Sequence, residues 1–64
     1  MNRWSNKESK SIENTKVDEF LNDVVLVCKK HNMAISHEDT HGGFEIVTLE
    51  NGDIAWLLQA SDHT

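Results

Sequence analysis

The side chains best suited to chemistry lie in one short stretch, His37-Glu38-Asp39-Thr40-His41, followed by Gly42-Gly43 and, two positions on, Glu45. The first five residues match H-E-x-x-H, the pattern in which two histidines hold zinc and the glutamate acts as general base. That chemistry needs a helix, because only there do positions i and i+4 share a face. Here Met33–Ser36 reads as a strand, and Gly42-Gly43 stops any helix directly after His41. A chain of 64 residues also leaves little room for a substrate cleft beside its core. The protease reading is therefore set aside.

Three readings of the stretch stay open. In the first, Asp39, Thr40 and Gly42 build a turn through side-chain-to-backbone hydrogen bonds, and Glu38 is solvated. In the second, His37, Glu38, Asp39, His41, Gly42, Gly43 and Glu45 form a contact surface for a partner or ligand, since binding residues concentrate on loops held by a rigid scaffold. In the third, the loop binds a metal through His37, Glu38, Asp39 and His41, with His63 or Glu45 added. Turn and contact are the expectation, and the metal site is the lesser alternative. No cofactor is expected.

Other reactive types are placed for packing. Cys28 falls on an apolar helix face, where a thiol is ordinarily inert. A Cys28/His31 pair has no oxyanion donor beside it. Glu38 and Asp39 are adjacent, so they point apart in a strand and make no acid/base pair. No glycine-rich phosphate loop occurs. The expectation is a protein that is not an enzyme.

The elements that must carry the stretch follow from periodicity. Val17, Phe20, Leu21, Val24 and Cys28 repeat at helical spacing. Thr15-x-x-Asp18 resembles a capping box, while Lys29, Lys30, His31 and Asn32 supply a basic last turn and a left-handed stop. The spacing predicts a helix over about 16–31, with Leu26 off the apolar stripe and Val25 and Val27 flanking it as a surplus apolar sector. Met33–His37 and Phe44–Leu49 predict an antiparallel hairpin, with Met33, Ile35 and His37 on one face and Phe44 and Ile46 inward. Residues 54–60 permit a third strand or a short helix capped by Asp53; the helix is preferred, with Trp56 in the core. Residues 1–14 read as a flexible polar arm containing an isolated Trp4, and 61–64 as a polar tail.

The fold class expected is thus α+β: a single small domain over 15–60 in α-β-β-α order, its hairpin packed on the N-terminal helix. A lone two-stranded hairpin is marginal and both its strands are edges. A homodimer, pairing hairpins edge to edge or burying Val25 and Leu26, relieves both problems.

Charge narrows the partner. All six basic residues lie in 1–30, with five acids; residues 31–64 carry six acids, four histidines and no Lys or Arg. The overall charge of −5 is therefore a near-neutral first half joined to a second half of −6. A nucleic-acid binder needs a basic stripe, so no direct nucleic-acid contact is expected. A basic protein surface suits the acidic half instead. Protonating the histidines would reduce that complementarity. A single cysteine excludes an internal disulfide. The polar start and the lack of a long apolar run predict a cytoplasmic protein with no membrane partner.

The block Ile35-Ser36-His37-Glu38-Asp39-Thr40-His41-Gly42-Gly43-Phe44-Glu45-Ile46 resembles small uncharacterised proteins of tailed bacteriophages. Those share an I-S-H-E-D-x-H-G-x-F-x-I core, a preceding helix like Phe20-Leu21…Val27-Cys28-Lys29-Lys30 and a following segment like Ile54-Ala55-Trp56-Leu57-Leu58-Gln59-Ala60. The likeness spans about residues 17–60. Many such proteins carry Ala where Gly43 stands. The resemblance implies a viral accessory protein in the host bacterial cytoplasm and carries over no catalytic residues. Proteins of that class commonly act by stoichiometric binding to host nucleases, defence systems or transcription machinery. An inhibitor or modulator of a bacterial host protein is the leading expectation. The alternative is a small-ligand binder, such as a signalling-nucleotide sponge using the Gly42-Gly43 amides with His37 and His41, or a zinc site at that loop.

Overall fold

The computed structural model describes all 64 residues, in the order β1 (Asn2–Ser5), β2 (Lys10–Glu13), α1 (Thr15–His31), β3 (Met33–His37), β4 (Phe44–Thr48) and α2 (Asp53–Leu58). The α+β class is as expected; the order is β-β-α-β-β-α, with an additional hairpin at the start. The two hairpins form separate two-stranded antiparallel sheets. In the second, Met33 pairs with Thr48, Ala34 with Val47, Ile35 with Ile46, Ser36 with Glu45 and His37 with Phe44.

α1 forms where its termini are satisfied. Its cap is Asn14, whose carboxamide oxygen accepts the Val17 N–H at 3.2 Å. The expected Thr15-x-x-Asp18 box is corrected by this: Thr15 is the first helical residue, and the Asp18 carboxylate is engaged by Arg3. Asn32 closes the helix in the left-handed region at φ 55°, and Lys29, Lys30 and His31 complement the dipole in the last turn.

Burial shifts the expected helix face by part of a turn. Leu21, Val25 and Cys28 are buried, Val17 and Val24 are half-buried, and Phe20 is 66% exposed. Val25, placed on a flank by the sequence pattern, lies inside because the stripe 21-25-28 is the one that meets β3 and α2. The second sheet shows the same reversal. Ala34 is the buried residue of β3, while Met33, Ile35, Phe44 and Ile46 stand on the open side. Ile35 nonetheless borders both helices, lining one depression with Val27 and Cys28 and another with Leu21 and Trp56. Trp56, expected in the core, is 53% exposed.

Residues 1–14 are not an arm. β1 and β2 pair Arg3 with Ile12 and Trp4 with Ser11 across a four-residue turn closed by Ser9 at φ 53°. The Ser5 hydroxyl accepts the Glu8 N–H at 3.2 Å inside that turn. Few apolar side chains hold this hairpin, so its polar groups do. Arg3 is buried and donates from Nη1 to the Leu58 carbonyl at 3.1 Å and the Ala60 carbonyl at 2.7 Å, and from Nη2 to Asp18.

Residues 61–64 are likewise no free tail. Asp62 bridges Ser5 in parallel fashion: its N–H donates to Trp4 O at 2.7 Å, and its carbonyl accepts the Asn6 N–H at 2.8 Å. Its buried carboxylate accepts from Asn14 Nδ2, from the Thr64 hydroxyl and from the Thr64 N–H at 2.8 Å. These bonds hold the Asp62 carboxyl below the ordinary carboxylate range, the Thr64 hydroxyl contributing most.

α2 occupies residues placed in a helix by the sequence, with its start one residue earlier than a cap at Asp53 would give. Gly52 is the cap, at φ 97°, and Asp53 is the first helical residue. The Asp53 carboxylate accepts the Glu50 N–H at 2.8 Å, tightening the approach to the helix. Against α1 and β3, α2 completes the small core; β4 touches no element except β3.

Candidate functional site

The turn between β3 and β4 brings together most of the residues singled out above, and Glu38 organises it. Its two carboxylate oxygens accept the Thr40 N–H at 2.7 Å and the His41 N–H at 2.6 Å. The Glu38 N–H donates to the Gly43 carbonyl at 3.0 Å, which continues the hairpin ladder into the turn. Gly42 lies at φ 71°, the conformation that glycine adopts without strain, and lets the chain reverse into β4. Backbone bonds from His41, then Thr40, hold the Glu38 carboxyl below its ordinary range.

Glu38 is therefore the keystone of the turn and not a solvated charge, which corrects that part of the turn reading. Its side chain is 29% exposed, whereas Asp39 is 94% exposed. His37 Nδ1 lies 2.7 Å from Asp39 Oδ1, and His41 Nδ1 lies 3.3 Å from Glu38 Oε2. The two imidazoles thus engage different carboxylates. His37 ends a strand and His41 sits in a turn, so the H-E-x-x-H spacing does not fall on a helix. No three His, Cys, Asp or Glu side chains are grouped to hold a metal ion. His63, the residue considered as an added ligand, contacts Asn6 at 3.2 Å instead.

Glu45 is not gathered into this cluster. It pairs with Ser36, so it projects from the face opposite His37 and Phe44. Gly43 has no positive φ, and a Cβ placed there meets nothing within 4 Å, so an alanine at this position fits the turn.

Beside the turn runs an open apolar surface that the sequence pattern assigned to the core. Phe44 is 75% exposed and Ile46 57%, and they continue into Met33 and Ile35 across the strands. A groove with Val27, His31, Met33, Ile35 and Ile46 along its walls separates this face from α1. A second shallow depression lies between Leu21, Ile35 and Trp56. The polar cluster of Arg3, Ser5 and Asp62 was missed altogether by sequence reasoning. Its only cues were Trp4 and Ile12, separated by a turn without glycine.

No family model, curated protein or solved structure matches the chain. No helix is long and apolar enough to cross a membrane.

Proposed function

We propose that this chain is a small acidic accessory protein of the tailed-phage type, acting by stoichiometric binding to a basic surface of a bacterial host protein. The observation that carries the reading is the β3–β4 turn. Glu38 fixes its backbone with two hydrogen bonds, and Asp39 projects almost fully exposed from it. The turn belongs to a half-chain with six acids and no Lys or Arg. A preorganised acidic projection suits recognition of a basic surface, because little conformational freedom is lost on binding. The ligand-sponge alternative has less support, since the imidazoles are already paired with carboxylates and no basic side chain stands near them. The reading includes a dimeric state and no catalytic step.

Affinity capture from bacterial lysate with the wild type, Asp39→Lys and Gly43→Ala tests it. A basic protein retained in fixed ratio by wild type and Gly43→Ala, released by salt and lost with Asp39→Lys, is the expected outcome. Equal retention by Asp39→Lys would refute the role of the turn.

A further inference from the structure

The outer edge of β4 is bare in a chain that is short of buried surface. Among the helices and strands β4 touches only β3, so no other strand pairs with its far edge. Two ladder bonds fix which groups point there. Leu49 N–H donates to Asn32 O and Glu38 N–H to Gly43 O, flanking the paired strands at either end. Hydrogen-bonded and non-bonded pairs alternate in an antiparallel ladder. Ala34/Val47 and Ser36/Glu45 are therefore the bonded pairs, and the N–H and C=O groups of Phe44, Ile46 and Thr48 face outward. Edge protection is slight: β4 carries no lysine, no proline and no bulge, and Glu45 is its single charge.

The area points the same way. A folded monomer of 7.3 kDa exposes about 4,200 Å², whereas this chain exposes 4989 Å². The excess of about 800 Å² equals the area one partner contributes to an interface of standard size. The radius of gyration, 12.6 Å, exceeds the ~11 Å expected for this length, and the molecule is only 17 Å thick. It has the form of half an assembly.

We infer that β4 pairs with β4 of a second copy, antiparallel about a two-fold axis through Ile46, giving one four-stranded sheet in the order β3-β4-β4-β3. The inference rests on the dimeric state included above and names its seam. The edge is self-complementary. With Ile46 opposite Ile46, Phe44 falls opposite Thr48 of the second copy, and the outward backbone groups of all three positions bond across the axis. The apolar faces then lie side by side on one side of the sheet. Glu45 falls opposite Val47 of the second copy and not opposite another glutamate, so no like charges meet directly.

Sedimentation of the full chain at micromolar concentration, with three variants, tests the seam. Wild type sediments as a dimer, and Ile46→Lys remains folded by circular dichroism with its dimer dissociation constant raised at least ~100-fold. Under mild oxidation Ile46→Cys forms a covalent dimer, because its Cα would lie about 5.5 Å from its own copy, within disulfide range. Thr48→Cys, about 14 Å from its own copy at four residues' offset, does not. If Ile46→Lys fails to fold, this cysteine pair decides. A wild-type dimer in which Ile46→Cys is not cross-linked, or Thr48→Cys is cross-linked equally, overturns the seam and leaves the dimeric state standing. A monomeric wild type overturns both and leaves the apolar face to another protein.

Discussion

Replacing Arg3 by methionine tests whether the first hairpin is an integral part of the fold. Arg3 is 4% exposed, and its Nη1 serves two carbonyls, Leu58 and Ala60, at 3.1 and 2.7 Å. Bonds to a charged donor contribute about 1.5–3 kcal/mol each, so losing these two costs about 3–6 kcal/mol. Arg3 Nε is buried without a partner, and removing it returns about 1–2 kcal/mol. The net expectation is a loss of about 2–4 kcal/mol. The whole stability of a 64-residue domain is about 3–10 kcal/mol. Methionine keeps the apolar stem of the side chain but ends near the position of Nε, so the space vacated by the buried guanidinium adds to this loss. Urea titration by circular dichroism and tryptophan fluorescence, at one fixed protein concentration, measures the effect. Lys7→Met, on the exposed turn of the same hairpin, is the control and stays within about 0.5 kcal/mol of wild type. Arg3→Met matching that control would show that residues 2–13 do not dock, and the arm reading would return.

Two further outcomes follow from the carboxylates and the β3–β4 turn. Asp18, held down chiefly by Arg3, Glu38 by the His41 and Thr40 amides, and Asp62 by Thr64 all have lowered pKa values in the fold. Their contribution is complete above the unfolded carboxylate range, near pH 4, and is lost as pH falls through the lower folded values. The urea midpoint should therefore drop steeply below about pH 4; a midpoint unchanged down to pH 2 contradicts the assigned bonds. Gly42→Ala, at φ 71°, should destabilise by about 1–2 kcal/mol. Gly43→Ala, with free space at its Cβ, should stay within about 0.5 kcal/mol, and thermal melts of the pair separate the two glycines.

Elements with local signals at both ends were legible in the sequence. Asn32 and the basic last turn mark the end of α1, and the residues of β3 and the helical identity of α2 were read correctly. Faces were harder. Alternation shows that Met33, Ile35, Phe44 and Ile46 share a side, but how far that side is covered depends on how closely α1 and α2 approach it, which only the tertiary structure specifies. Phe20 and Val25 exchanged roles for the same reason: a broad apolar sector on α1 leaves the buried stripe to tertiary contact. The first hairpin was illegible because its burial falls on Arg3, Ser5 and Asp62. Polar residues are buried only when distant partners satisfy them, and those partners lie at the other end of the chain. Within the site, the turn and its glycines were visible, whereas the anchoring of Glu38 depends on a backbone geometry that residue types alone do not specify.

The grip of Arg3 on Leu58 and Ala60 spans 55 and 57 residues of sequence. It sets a timetable for synthesis. At roughly 5–20 residues per second, the first hairpin, complete at Glu13, waits about 2–9 s for the carbonyls that lock it. Throughout that interval Asp18 is the one side-chain partner already made for its guanidinium, and the Nη1 group is unclaimed. A segment of asparagine, lysine, glutamate and serine, with one tryptophan and one isoleucine, stays soluble through such a wait. The polar composition that resembles disorder is thus compatible with a part of the fold that is made first and locked last.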